Sequence, residues 1–473
     1  MPAAASNHGL RHRCIRAIDI VALLIVGGAI ISGQAPPPPT ADLIPFQKNA
    51  PSDNKLWGYA DPTGKLVIPA QFDAAHPFTA DGLAEIKRGG HWGMIDRQGR
   101  EVIPPLTSYQ VPSQDGRAGV CVDDGQAIPG LSILGPKPGQ RTQVQGTICG
   151  YLDTTGALAI PFEYNWIHPF KEGVAPASIS KPSTYCPAVD LGRATMYGLL
   201  DTKGTVLVPF ETCYIGPSEN GWSRVVYDSP SSNVQHVGFV DREGHVVLPK
   251  MPYDFAAEHW SEDRLPVRSG NRWGFVDRKG NLAVPIRYDD VFGFSDGRAR
   301  VQLGNKWGFI DPNGQVVVPV TAEYASDFSE QLGCVGSGDR IAFIDPAGKK
   351  LFEARFDPND GCRRRFTEGL RATVQGGKWG YIDRTGKFVI AAKFDEAWGF
   401  SEGVAAVRQG ESWGFVDHTG AMVIPAKYFR VDQGFVNGLA YVTVRIDNPC
   451  CPGLYKASDG YIDHFGHEFF DAP

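Results

Sequence analysis

The sequence predicts an all-β protein, a tandem repeat of about eleven antiparallel β-meander units of roughly 35 residues. Three observations predict it. The turn Asp-x-x-Gly starts at Asp61, Asp96, Asp153, Asp201, Asp241, Asp277, Asp311, Asp345, Asp383, Asp417 and Asp463, eleven times in all. The spacings are 35, 57, 48, 40, 36, 34, 34, 38, 34 and 46 residues, a basic period of 34 to 36 with insertions. The flanking runs are β-branched or aromatic and alternate with period two, and no stretch carries the 3.6 period of an amphipathic helix.

Residues 1–35 read as a targeting segment. Arg11, Arg13 and Arg16 precede an apolar run from Ile20 to Ile31, and Ser32-Gly33-Gln34-Ala35 offers small residues for cleavage. A membrane-spanning helix needs about 20 apolar residues. A secretory signal is therefore the reading, with an uncleaved N-terminal anchor as the alternative and the only expected membrane contact. Residues 36–54 are a linker and entry segment, opened by Pro36 to Pro39 in a polyproline II run. Residues 55–473 form the array. The chain is 42% hydrophobic and 21% charged, which is globular, and its net charge of −6 argues against a nucleic-acid partner.

The unit is clearest at Trp307 to Pro319, Trp-Gly-Phe-Ile-Asp-Pro-Asn-Gly-Gln-Val-Val-Val-Pro. One strand enters a type I turn in which Asp311 bonds the backbone ahead, Pro312 presets φ and Gly314 takes the left-handed conformation. Asp383 with Gly386 and Asp417 with Gly420 repeat this structural role. The returning strand is expected to stop pairing at Pro319, which has no N–H. Most units carry a second piece ahead of the Trp-Gly strand, as in Phe400-Ser401-Glu402-Gly403-Val404-Ala405-Ala406-Val407. Related copies start at Phe78, Phe170, Phe294, Phe328, Phe366 and Phe435. The period is broken by insertions rich in Pro, Gly and Ser, Gly130 to Gly139, Ser180 to Leu191 and Asp447 to Ser458, expected as surface loops.

Trp57, Trp92, Trp273, Trp307, Trp379 and Trp413 share one phase, where Cys149, Tyr197, Val237, Ile341 and Asp459 stand in the other units. A large apolar residue repeating in phase is read as the core contact between units, and the Gly after it as room for a close neighbour. One carboxylate per turn is too few for a calcium site, so no metal and no cofactor is expected. An aromatic–Asp pair after the Pro places Asp73, Asp254, Asp289 and Asp395 at equivalent positions. Carboxylates along one rim would focus negative potential and favour a basic or polyhydroxyl partner. The alternative is that each caps a turn.

Eight cysteines follow the leader. Cys121 and Cys149, Cys186 and Cys213, and Cys334 and Cys362 are separated by 28, 27 and 28 residues, and Cys450 and Cys451 are adjacent. An even count in an exported chain suggests disulfides, with many pairings open. Closing such loops would stabilise by about 3 kcal/mol each.

Lys378-Trp379-Gly380-Tyr381-Ile382-Asp383 and Lys306-Trp307-Gly308-Phe309-Ile310-Asp311, with Phe-Ser-Glu-Gly between copies, resemble the WG repeat family of bacterial proteins over residues 55–470. That resemblance implies an all-β array with a binding or surface role. Propeller-like blades are favoured over an open β-solenoid, although eleven blades exceed the usual four to eight of one ring. No Gly-x-Ser-x-Gly, His-Glu-x-x-His or phosphate-binding Gly loop occurs. The expected function is an exported, non-enzymatic binding or scaffold module engaging protein or glycan through repeat loops. The alternative is a carbohydrate-active hydrolase with carboxylates converging from different repeats.

Overall fold

The computed structural model describes residues 43–49, 55–107, 109–123, 147–182, 186, 188–190, 193–227, 236–338, 340–355, 362–447 and 455–471. The leader, the tetraproline, the Gly130–Gly139 insertion and the Cys450–Cys451 pair lie outside these residues. The described strands form eleven antiparallel sheets, and no helix occurs among the described residues. The sheets are the blades of a β-propeller.

Blades 1 to 11 span residues 44–72, 74–107, 109–164, 166–212, 214–248, 255–288, 290–322, 324–355, 371–394, 396–428 and 430–463. Blade 10 shows the plan. Its four strands, Glu396–Ala397, Val404–Gln409, Ser412–Asp417 and Met422–Tyr428, pair in chain order. The short first strand follows the last strand of the preceding blade after one residue, Asp395. Blade 1 begins at Ile44–Asn49, inside the segment read as linker, because that strand pairs in register with Lys55–Ala60.

The ring closes where the chain ends meet. Gln47 N–H donates to Phe469 O at 2.9 Å, and Asp471 N–H donates to Gln47 O at 2.8 Å. Lys55 pairs with Asp459 at 2.8 Å, and Tyr441 donates its hydroxyl to the same carboxylate at 2.7 Å. Asp459 holds the position that Trp holds in other units, so a polar clasp adds to the apolar contacts of Ile44 with Phe469 and Trp57 with Tyr461 at the seam.

Packing lies between successive blades. The strand that leads into the Asp-x-x-Gly turn of a blade sends an aromatic ring onto the Phe of the next blade's Phe-Ser-Glu-Gly turn. Tyr59–Phe78, Tyr151–Phe170, Phe275–Phe294, Phe309–Phe328, Tyr381–Phe400 and Phe415–Phe435 have ring centroids 4.8 to 5.0 Å apart. Such tilted or edge-on pairs add about 0.5–1.5 kcal/mol each beyond area burial. Where the inner ring is Tyr, its hydroxyl donates to a backbone carbonyl of the next blade, as Tyr381 to Trp398 O at 2.8 Å.

Pairing does not stop at the strand Pro. Val316–Ala322 runs through Pro319, and Trp307 pairs with Ala322 while Phe309 pairs with Val318. The bulge between these pairs accommodates the missing N–H. Gly308 makes it possible, since a Cβ there would lie 2.6 Å from Val318 O and 2.7 Å from Val320 Cα. Blade 8 has Ala342 at this point and no strand Pro, and there the register runs unbroken from Arg340↔Arg355 to Phe343↔Phe352. Part of the Ser180–Leu191 insertion is strand rather than surface loop. It lengthens the strand Val174–Pro182 and adds Ala188–Asp190 beside Arg193–Asp201, a fifth strand in blade 4.

Candidate functional site

The eleven turn Asp residues act locally. Asp311 Oδ1 accepts from Asn313 N and Gln315 N, both at 2.9 Å, and Gly314 has φ +81°. Asp383 and Asp417 do the same and also take a Thr hydroxyl, from Thr385 and Thr419, at 2.6 Å. That hydroxyl, helped by the turn N–H groups and opposed by slight burial, holds each carboxyl below its ordinary value. Gly386 and Gly420 have φ +83° and +82°.

Asp73, Asp254, Asp289 and Asp395 occupy one repeated position, at the corner between blades. Each accepts from the hairpin joining the second and third strands of the blade that follows: Gly90 N, Gly270 N, Gly304 N and Gly410 N, at 3.3, 2.6, 2.7 and 2.7 Å. Asp289 and Asp395 also pair with Arg272 and Lys378, both at 2.5 Å. Of the six phase Trp residues, Trp379 and Trp413 are buried. Trp57, Trp273 and Trp307 are half-buried at the margins of the cores, and Trp92 is likewise half-buried. The centre of each core is taken by the residue two further on, such as Tyr59, Phe309 or Tyr381, each fully buried. The cysteines pair as Cys121–Cys149, Cys186–Cys213 and Cys334–Cys362, with Cα–Cα distances of 4.1, 5.3 and 5.6 Å.

A set of carboxylates that the sequence reading treated only as turn residues joins blade to blade. Glu172, Glu262, Asp296, Glu330, Glu368 and Glu402 reach the equivalent turn of the next blade and accept from its backbone N–H groups. Glu402, for example, takes Asn437 N at 2.6 Å and Gly438 N at 2.9 Å. All six sit at positive φ, between 46° and 56°. The left-handed corner is what aims the carboxylate across the interface. Phe-Ser-Glu-Gly recurring once per period was the available signal.

One cleft of about 390 Å³ lies where blades 7 and 8 meet the segment entering blade 9. Blade 7 supplies Arg300 and Trp307, and the first strand of blade 8 supplies Tyr324 and Asp327. The entering segment supplies Arg363 and Arg365, next to Cys362. Asp327 is shared by two guanidinium groups, Arg300 at 3.2 Å and Arg365 at 2.6 Å. Arg300 is inserted between rings, 3.8 Å from the Phe292 centroid and 4.8 Å from that of Trp307. Burial draws the Arg300 guanidinium down from its ordinary value, Asp327 pulls it up, and Arg365 presses it down again. Glu323, also in the wall, pairs with Lys306 at 3.1 Å and accepts from Gly338 N at 2.9 Å. Arg363 forms no ion pair with a described residue. Tyr324 is 40% exposed. Among the described residues, Asp241, Glu243 and His245 are the one trio spaced as metal ligands, with ligand atoms within 4.8 Å. Asp241 Oδ1 already accepts from Glu243 N and His245 N.

The Trp-Gly strand, its bulge and the Asp-x-x-Gly turn are a family signature. A family model described as "WG containing repeat" matches residues 57–90, 92–125, 150–180, 197–229, 238–273, 273–307, 307–339, 379–412 and 413–445, more than half of the chain. The chain belongs to the WG-repeat family. Each WG repeat starts on the strand that leads into the Asp-x-x-Gly turn of one blade and ends in the next blade. The repeat boundary therefore falls inside a blade, and every repeat spans an interface. The third strand of blade 8, with Ile341-Ala342 in place of Trp-Gly, opens no match.

No curated protein matches the chain significantly. Among solved structures, a eukaryotic initiation factor is 13% identical at TM-score 0.37, covering 81% of this chain and 100% of that one. Hsv2 of Kluyveromyces lactis is 10% identical at TM-score 0.28, covering 57% and 93%. Apo AztD of Citrobacter koseri is 10% identical at TM-score 0.23, covering 81% and 93%.

Proposed function

We propose that this WG-repeat protein is an exported, non-enzymatic binding module that engages a glycan or protein partner through the cleft spanning blades 7 to 9. The observation that carries this reading is the division of labour among the cleft's charged groups. Both carboxylates, Glu323 and Asp327, are held in ion pairs, whereas Arg363, exposed in the same wall, forms none with a described residue. A glycoside hydrolase needs two carboxyl groups free to act on a common bond. A rigid β scaffold presenting aromatic and guanidinium groups suits recognition. Three cysteine pairs at bonding distance support an oxidising, extracytoplasmic setting.

The test is a panel of immobilised oligosaccharides and peptides probed with the purified protein, with parallel assay of reducing ends. Retention without product is expected. Turnover of a retained saccharide would replace the binding reading by the hydrolase. Cell fractionation should place the protein outside the cytoplasm with its described cysteines oxidised, and a cytoplasmic pool with reduced thiols would defeat the export part.

A further inference from the structure

The cleft's charge is opposite in sign to that of the chain. We propose that it binds a carboxylated sugar of the uronate class, with Arg363 and Arg365 taking the carboxylate, Tyr324 lying against the sugar ring, and the Cys334–Cys362 bond holding the arginine wall in place. The proposal rests on the binding reading above and gives it a ligand class.

Three arginines, Arg300, Arg363 and Arg365, line the cleft against two carboxylates, in a chain whose net charge is −6. Asp327 pairs with Arg300 on one side and accepts from one edge of Arg365 on the other. A guanidinium carries five donors in a planar fork, so Arg365, whose side chain is 55% exposed, keeps donors for a second carboxylate. Arg363 is exposed and forms no ion pair with a described residue. Two guanidinium groups in one cleft wall form a charge-assisted carboxylate site.

The rest of the wall favours a sugar over an acidic peptide. Tyr324 lines the cleft and is 40% exposed, and aromatic side chains take the C–H face of a pyranose. Glu323 and Ser326 add acceptor and donor capacity for hydroxyl groups. A volume of about 390 Å³ lies at the small end of ligand pockets, the size of one or two sugar rings.

The arginine wall lies on the segment that enters blade 9. Among the described residues its sheet has three strands, Arg371–Gln375, Lys378–Ile382 and Phe388–Phe394, without the short first strand of blade 10. Cys362-Arg363-Arg364-Arg365 precedes it instead. Cys362 is bonded to Cys334 in the second strand of blade 8. Arg364 turns the other way, lies 4.1 Å from the Trp379 centroid and donates to Ala397 O at 2.7 Å. With Cys362 anchored on blade 8 and Arg364 on blades 9 and 10, Arg363 and Arg365 are left to the cleft.

The experiment is calorimetric titration of the purified, oxidised protein with tri-galacturonate, and with its methyl ester, which removes only the charge. Tri-galacturonate is expected to bind with salt-sensitive affinity, and the ester about tenfold or more weaker. Arg363→Gln should weaken the acid about tenfold and leave the ester unchanged. Tyr324→Ala should weaken both. Melting temperature serves as the folding check, and Arg430→Gln, on blade 11, should bind as the wild type does. Cys334→Ser with Cys362→Ser should lose most of the affinity while remaining folded. Equal binding of acid and ester, full affinity in Arg363→Gln, or no binding by folded wild type overturns the proposal. So does a poly-glutamate peptide that binds more tightly and loses affinity in Arg363→Gln, although that result leaves the binding-module reading standing. Reducing ends released from tri-galacturonate would instead overturn the binding-module reading.

Discussion

At the residue scale, the Gly of Trp-Gly is a steric requirement that one substitution tests. Gly308→Ala places a methyl group 2.6 Å from Val318 O, so the bulge must open or the strand must shift. We expect a loss of about 1–3 kcal/mol, read as a lowered urea midpoint. Ala342→Gly, at the equivalent point of blade 8, where the register runs unbroken past it, should cost only about 0.5–1 kcal/mol through backbone entropy. Equal losses would separate the glycine from the bulge. The turn carboxylates make a second prediction at this scale. Asp383 and Asp417 lie below their ordinary value of 3.8 in the folded protein, chiefly through the Thr385 and Thr419 hydroxyls. A carboxyl depressed on folding adds stability above its unfolded value and loses it as pH falls through the folded one. Thermal stability should therefore hold steady from neutral pH to about 5 and decline below about 4. Thr385→Val with Thr419→Val should flatten that decline, and an unchanged acid limb would assign it to other groups.

At the element scale, neighbouring blades are joined by paired rings and by carboxylates reaching across the interface. Glu402 accepts from Asn437 and Gly438 and pairs with His464 at 3.1 Å. Glu402→Gln keeps one acceptor and should cost less than Glu402→Ala, which leaves two turn N–H groups without their partner, about 1–3 kcal/mol. Both variants are measured by chemical denaturation, and equal cost would show that charge rather than acceptance carries the contact. Phe435→Ala removes the ring facing Phe415 and should cost about 3–5 kcal/mol as a core truncation. The phase Trp residues sit at the core margins, so Trp307→Phe should cost less than Phe309→Ala.

At the scale of the whole molecule, stability depends on a closed ring. Eleven blades whose first and last members touch behave differently from an open array, in which terminal units fray. Truncation after Asp463 removes Phe469, Phe470 and the backbone bonds to Gln47. We expect a lowered melting temperature and protease cleavage beginning in blades 1 and 11. Cleavage that starts elsewhere would show that the seam is not the weak point. Lys55→Ala should act in the same direction and more mildly, because its partner Asp459 keeps the Tyr441 hydroxyl.

Much of this architecture was legible in the chain because its signals are local. Asp311 and Gly314 meet within one turn, so turn chemistry reveals the hairpin wherever it recurs, and a period of 34 to 36 residues reveals the unit. The three cysteine pairs stood out by their near-equal separations, and the structure selected those pairings by bringing their Cα atoms within 5.6 Å. The strand that opens blade 1 was less visible, since Ile44–Asn49 precedes the first turn and resembles a linker until its partner Lys55–Ala60 is in place. The corner Asp residues looked alike as rim carboxylates and as caps, and only the hairpin of the following blade shows what each one accepts from. Ring closure belongs entirely to tertiary structure. The rotation between neighbouring blades is set by how rings such as Phe309 and Phe328 pack, and a small angle accumulated over eleven interfaces decides whether the ends meet. The cleft has the same origin: Arg300, Asp327 and Arg365 are far apart in sequence, and ion pairs between blades and the Cys334–Cys362 bond bring them together.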